Sequence, residues 1–379
     1  MGCLRVLLAL FVVQDHSSAL PLLWRGWFFD GFMAVRCFFM VSGFYMALIL
    51  NSTYASGGAR LFYGNRFLRL WPAYAFSVVV SLLLGAWFGQ LRTGATAVAW
   101  PDVFGALTQW HVGPLLLVGV STLGMLGQEL FWFLRLDPDD GAIAFAPWHV
   151  DAAHNGSMFL LNRPAWSVSV ELLFYLLAPF VLRRITLPKC LVLIVPGLLF
   201  HVAVHVLHLD AQLWGYFVLP AALPFFGLGA LAFWVCRRVQ REASWRRALL
   251  PAGAVYGALL LFFVLFLPGR IYFMCLGFAV LLPFLFLLFR TSRIDRAIGE
   301  FSYPLYILHF PIVVYFFERR VLSPHWGGVQ VVLLTLLLAA PVYLLVDRPI
   351  GRWRRRRLMP PGQSHADGSA QAAAAPEPG

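Results

Sequence analysis

Charge is scarce in this chain. Asp, Glu, Lys and Arg make up 12% of its 379 residues, against about a quarter in soluble proteins. Hydrophobic residues make up 60% and the mean hydropathy is +0.76. That shortage argues against a pair of soluble domains and for one polytopic bundle in lipid. Acids are scarcer still, 17 against 29 Lys and Arg, which leaves a formal charge of +12. The basic residues fall in short breaks between apolar runs, the pattern of an orientation signal and of headgroup contact. Membrane lipids are therefore the expected partners and nucleic acid is not, although an anionic substrate would gain from the same charge. Only five Cys occur, at 3, 37, 190, 236 and 275, with no C-x-x-C spacing, so no disulfide framework is implied. There is no P-loop, no Rossmann glycine pattern and no HExxH, and Val41-Ser-Gly43 lacks the first glycine of a G-x-S-x-G elbow. His201, His205 and His208 align at helical spacing, but no carboxylate cluster supports them and no metal is expected. No internal repeat is evident. No small-residue cleavage site follows Val6–Val13, and Asp15-His16 interrupts that run, so the N-terminus reads as an uncleaved first helix.

What is present is a series of lipid-length apolar segments, each needing about 20 residues to span. They run roughly over Leu4–Leu22, Phe29–Leu50, Pro72–Gly89, Ser167–Leu182, Leu191–Leu207, Tyr216–Val235, Leu249–Leu267, Tyr272–Phe289, Tyr303–Phe317 and Val329–Val346. Leu115–Val120 and Leu123–Leu134 are apolar but short. Reading Gly105–Leu134 as a re-entrant or interfacial hairpin gives about ten spans, with both ends on the cytoplasmic side. That side then carries Arg5, the Arg60–Arg69 group, Arg183 to Lys189, Arg237 to Arg247, Arg290 to Arg296 and Arg348 to Arg357. These are 21 of the 29 basic residues, as the positive-inside rule requires. Arg319-Arg320 run against it. The fold expected is an all-α transmembrane bundle over 1–358, followed by a disordered Pro/Ala-rich tail over 359–379.

Ionisable groups inside such spans are expensive and face a protein interior, a wet cavity or a reaction path. His16 stands near the far end of the first span. An imidazole there can accept a proton from a hydroxyl nucleophile, or simply bond a neighbouring helix. Asp15 is adjacent in sequence, so the two side chains point apart. Arg66 and Arg69, three apart, share a helical face at the inner mouth and suit phosphate, or an inside-positive anchor. Arg36 lies too deep for easy snorkelling and needs a partner. In Trp166-Ser-Val-Ser-Val-Glu171, Ser167 or Ser169 can cap a helix. Glu171 can order a polar network, neutralise Arg36 or hold a catalytic base. Ser302, Tyr306 and His309 recur along one side of a helix and can line a cavity or pack.

Five stretches in order resemble the membrane acyltransferase family 3, whose bacterial members O-acylate surface polysaccharides, Nod factors and macrolides. They are Arg5 to His16, Phe38-Phe-Met-Val-Ser-Gly-Phe44, Asn65-Arg-Phe-Leu-Arg-Leu-Trp-Pro72, Ala165-Trp-Ser-Val-Ser-Val-Glu171 with Phe174-Tyr175, and Ile298-Gly-Glu-Phe-Ser-Tyr-Pro-Leu-Tyr-Ile-Leu-His309. Asp347-Arg-Pro349 resembles the family's Glu-x-Pro ending. The resemblance spans about residues 4–350. It implies an enzyme of the bacterial inner membrane that moves an acyl group, often acetyl, from acyl-CoA to a hydroxyl of a glycan or small-molecule acceptor, with no bound cofactor. It implies His16 as the catalytic histidine with Glu171 in support. Arg66 and Arg69, with Arg36, Trp166, Ser167, Tyr306 and His309, then serve donor and substrate. A polysaccharide or lipid-precursor exporter and a non-catalytic envelope-assembly subunit are the rival readings.

Overall fold

The computed structural model describes residues 1–17, 30–55, 58–93, 96–99, 110–137, 139–148, 154–241, 271–317, 321–323 and 326–358. The helices are α1 (Gly2–Ser17), α2 (Gly31–Leu50), α3 (Ala59–Trp87), α4 (Val112–Gly124), α5 (Trp166–Leu182), α6 (Leu187–Val206), α7 (Leu219–Arg241), α8 (Ile271–Phe289), α9 (Arg293–Glu300), α10 (Ser302–Ile312), α11 (Gly327–Val342) and α12 (Arg348–Leu358). Two short antiparallel hairpins interrupt them, β1 (Gln90–Thr93) with β2 (Thr96–Ala99) and β3 (Leu134–Leu136) with β4 (Ile143–Phe145). Seven helical segments among the described residues are long and apolar enough to cross a membrane. The chain is an all-α polytopic bundle. The expected span Leu249–Leu267, the far end of the first span, the tail 359–379 and the pair Arg319-Arg320 lie outside the described residues.

The core is built on α2, whose closest neighbour is α7. At Gly43 an added Cβ would stand 2.1 Å from the Phe226 carbonyl oxygen, and at Gly229 1.9 Å from that of Met40. Only glycine permits backbones to approach so closely, which is how small residues glue helices in lipid. The Phe174 and Phe226 rings then stack at 3.9 Å, joining α5 to α7. The lower ends of α2 and α5 are tied by Asn51. Its Nδ2 donates to Ala47 O (2.8 Å) and Leu182 O (2.7 Å), and its Oδ1 accepts from Ile185 N (3.0 Å). Carbonyls at helix ends have no partner of their own, so one amide here satisfies two helices at once. Asp295 does the converse on α9, accepting Gly2 N (2.7 Å) and Cys3 N (2.9 Å) from the first turn of α1.

The third helix begins earlier than the sequence suggests. Pro72 looked like a helix start, the position proline prefers, yet α3 runs through it from Ala59 and contains both Arg66 and Arg69. Interior prolines recur in α5, α6, α7, α8, α10 and α11. In a bundle the carbonyl they release can be satisfied by a neighbour. Pro311 releases Ile307 O, and Asn162 Nδ2 donates to it at 2.8 Å. The backbone after Pro311 widens into a π turn, as it does after Pro341.

Between α3 and α5, where a hairpin over Gly105–Leu134 is expected, the described residues from 110 onward hold one short apolar helix and a returning turn. At 13 residues, α4 is about 20 Å long, short of a ~30 Å hydrocarbon core. It ends on Met125 at φ +58, and the chain returns as a 3-10 turn over Gln128–Phe133. Three of its last four carbonyls are engaged by side chains. Ser121 O accepts from Gln128 Nε2 (3.0 Å), Thr122 O from the Tyr74 hydroxyl (2.7 Å) and Leu123 O from Trp71 Nε1 (2.8 Å). Val112, Leu116, Val120 and Leu123 remain exposed, as a helix ending inside lipid would have them.

Candidate active site

α1 and α10 cross so that His16 meets His309. His16 Nδ1 lies 2.9 Å from Val12 O, and His309 Nδ1 lies 2.5 Å from Tyr306 O. A carbonyl can only accept, so each Nδ1 carries the proton and each Nε2 is an acceptor. His309 Nε2 then faces His16 Nδ1 at 3.4 Å, with ring centroids 5.1 Å apart. The His16 Nδ1–H is shared between Val12 O and His309, which leaves His16 Nε2 as the free base. His309 is fully buried while His16 is exposed. The order is that of a base oriented by a buried partner.

Within the bundle lies a cavity of about 660 Å³. Arg5, Arg66, Arg69, Arg293, Arg296, Arg348 and Arg354 line it, with Glu300 and Asp347 among them. Arg66 is only 6% exposed, and its Nε has no hydrogen-bond partner. A buried guanidinium with an unused donor is costly unless an anion completes it. Deeper in, Glu171 Oε1 accepts from Ser42 Oγ and from the Tyr175 hydroxyl, both at 2.5 Å. The apolar end is formed by Val35, Phe38, Phe39, Val168 and Tyr306. The Tyr306 hydroxyl meets Ser167 Oγ at 2.6 Å and donates to Pro164 O at 3.0 Å. The Tyr306 and His309 rings are 6.1 Å apart, so one layer of side chains divides the cavity from the histidine pair.

The structure thus sorts the expected site residues. Arg66, Arg69, Ser167, Glu171 and Tyr306 share the cavity, as do Ser302 and Tyr303. His16 and His309 form the pair behind it, so His309 does not line the cavity as its face on α10 suggested. Glu171 is committed to Ser42 and Tyr175, and the partner of His16 is His309. Asp15 packs against the start of α2, its Oδ2 2.7 Å from where a Gly31 Cβ would stand. Arg36 forms no ion pair among the described residues. Its guanidinium lies over the Tyr216 ring at 4.9 Å and the Phe225 ring at 5.6 Å, a cation–π arrangement. Trp166 packs on Tyr216 and Phe217 at 4.8 and 4.7 Å, outside the cavity. Neither serine of the Trp-Ser-Val-Ser-Val run caps α5. Ser167 turns back to Pro164 O and Ser169 donates to Glu129. The imidazole of His201 is engaged by Ala221 O at 3.0 Å.

Sequence reasoning missed Ser42, Tyr175 and Asn162. Ser42 sits in the Phe-Met-Val-Ser-Gly-Phe44 stretch and Tyr175 four residues after Glu171, so a polar side chain one helical turn from a carboxylate was the available signal. Asn162 gave none.

Lipid-length helices around a basic cavity, with an imidazole pair close by, define a polytopic membrane protein. The family model described as an acyltransferase domain, that of membrane acyltransferase family 3, matches residues 1–345, and the chain belongs to that family of membrane acyltransferases. No curated protein and no solved structure matches the chain.

Proposed function

We propose that this protein transfers a short acyl group, acetyl foremost, from acyl-CoA to a hydroxyl of a glycan or small-molecule acceptor at the bacterial cytoplasmic membrane. The observation that carries the reading is the arginine-lined cavity, with the part-unpartnered Arg66 in its wall, ending one side-chain layer from His309 and His16. The arginine mouth faces the cytoplasm, where acyl-CoA is made, and both termini lie on that side. The CoA phosphates bind Arg66, Arg69 and the neighbouring guanidiniums through charge-assisted hydrogen bonds. The pantetheine arm carries the thioester toward Ser167 and Tyr306. The acceptor approaches the exposed side of His16.

A passage past the Tyr306 layer must bring the thioester to His16, whose Nε2 takes the proton of the acceptor hydroxyl as its oxygen attacks the thioester carbonyl carbon. The new C–O bond forms, the C–S bond breaks, and CoA leaves as a thiolate that recovers a proton. The imidazolium formed on His16 is stabilised by Val12 O and by the His309 Nε2 lone pair. Glu171, held by Ser42 and Tyr175, offsets the positive charge of the cavity wall.

The test is mass spectrometry of envelope glycans and secreted metabolites from a deletion strain complemented with wild type or His16→Ala. Wild type should restore an ester mass increment that His16→Ala, at equal protein level, does not. Full restoration by His16→Ala would reject the role of this imidazole. Glycan movement across vesicles without acyl-CoA would favour an exporter.

A further inference from the structure

The basic cavity draws part of its wall from α12. Arg348, Gly351 and Arg354 recur at three-residue steps and so share one helical face, and all three line the cavity. Trp353, on the opposite face, is exposed. Gly351 stands between the two arginines and carries no side chain, which leaves a gap between their stems. Arg354 is buried, and its Nη1 donates at 2.9 Å to the carbonyl of Asn65, the residue before Arg66. α12 thereby packs on α3, and α3 packs on α5, where the Phe62 and Tyr175 rings meet at 6.3 Å. α5 carries Tyr175, Glu171 and Ser167 at four-residue steps, ending at the contact of Ser167 with Tyr306. Counted from Tyr306, the order of helices is therefore α5, α3, α12.

Charge divides in the same way. Seven guanidiniums and three carboxylates, Glu171, Glu300 and Asp347, line the cavity, a formal excess of four positive charges. Without Arg348 and Arg354 the count is five against three, an excess of two. That matches a pyrophosphate, at about one negative charge for each bridging phosphate. The α12 pair adds two more, and a phosphate monoester carries a charge of about −1.5 to −2.

We propose that Arg348 and Arg354 form the subsite for the 3′-phosphate of the donor nucleotide, beside an α3 subsite at Arg66 and Arg69 for its pyrophosphate. The inference rests on the acyl-CoA reading and deepens it. In CoA the pantetheine arm, the pyrophosphate and the 3′-phosphorylated ribose follow one another along the molecule. With the arm directed at Ser167 and Tyr306 on the α5 side, the pyrophosphate falls to α3 and the 3′-phosphate to α12. Planar guanidinium forks suit such a dianion. The bond to Asn65 O holds Arg354 in place before the donor arrives, so little freedom is lost on binding.

The experiment titrates purified full-length protein in detergent with CoA and with dephospho-CoA, which lacks only the 3′-phosphate. The readout is the ratio of the two dissociation constants, measured on one preparation and so independent of the fraction of folded protein. Wild type should prefer CoA by about tenfold or more. Arg348→Gln and Arg354→Gln should weaken CoA while leaving dephospho-CoA near wild type, so that the ratio falls toward one. Arg348→Gln carries this test without touching the Arg354–Asn65 bond. Arg66→Ala should weaken both ligands alike and keep the wild-type ratio. CoA binding with the same ratio in wild type and both α12 variants would overturn the 3′-phosphate assignment and leave the acyl-CoA reading standing. Wild-type protein that binds neither ligand would overturn the acyl-CoA reading itself, and the α12 subsite with it.

Discussion

His16 Nδ1 and His309 Nε2 face each other at 3.4 Å across the α1–α10 crossing. The carbonyls on their flanks fix both tautomers, so the proton on His16 Nδ1 is shared between Val12 O and His309, and the lone pair on Nε2 is left free. In the proposed reaction His309 acts through His16, as a positioning residue. His309→Ala should therefore lower the rate constant at saturating acyl-CoA by about 10²-fold or more, the lower end of what a placed base contributes. The concentration of acyl-CoA giving half the maximal rate should stay near wild type, because His309 does not line the donor cavity. His309→Asn, whose side-chain oxygen can also accept, should recover part of the loss. A variant that weakens donor binding while keeping its maximal rate would rule out this assignment.

Arg66 should show the opposite split. With 6% of its surface exposed and Nε unbonded, it is placed to complete an anion. Hydrogen bonds to charged groups contribute about 1.5–3 kcal/mol each, so Arg66→Ala should weaken acyl-CoA binding by about 10- to 100-fold. Arg66→Lys should recover only part, since an ammonium lacks the planar fork. Calorimetric titration of purified protein with CoA checks this. Equal affinity in wild type and Arg66→Ala would remove Arg66 from the donor site.

Asn162 is predicted to matter for stability. It donates to Ser77 Oγ and to the Ile307 carbonyl that Pro311 leaves without a partner, both at 2.8 Å. Asn162→Ala strands a buried carbonyl two residues before His309 and should cost about 1–3 kcal/mol. Thermal unfolding in detergent reads this loss. A midpoint equal to that of wild type would show that the carbonyl finds another partner.

Much of the fold was legible in the sequence because lipid imposes it. Span length, the loop-charge asymmetry and the need to close every backbone hydrogen bond give the helices around α2 and α5, and they require the α4 hairpin. Pro72 misled because a proline that opens a soluble helix can sit inside a membrane one. At the site, Arg66, Arg69, Ser167 and Tyr306 could be named from helical faces and from resemblance. Their partners could not. The bonds from Ser42 to Glu171, from Asn162 to Ile307 and from His309 to His16 join positions more than a hundred residues apart. Helical periodicity within a segment does not carry that information. Of the roles open to Glu171, the structure displays the polar network with Ser42 and Tyr175, and only the crossing of α1 with α10 brings His309 to His16.

The α2–α7 contact offers a stricter test of packing. A Cβ at Gly43 would stand 2.1 Å from Phe226 O, a backbone atom that cannot move without shifting α7. Gly43→Ala should therefore destabilise by about 1–3 kcal/mol or more despite its better helix propensity. Unfolding of purified protein in detergent reads this directly. A more stable Gly43→Ala protein would mean that the two helices can separate at no cost.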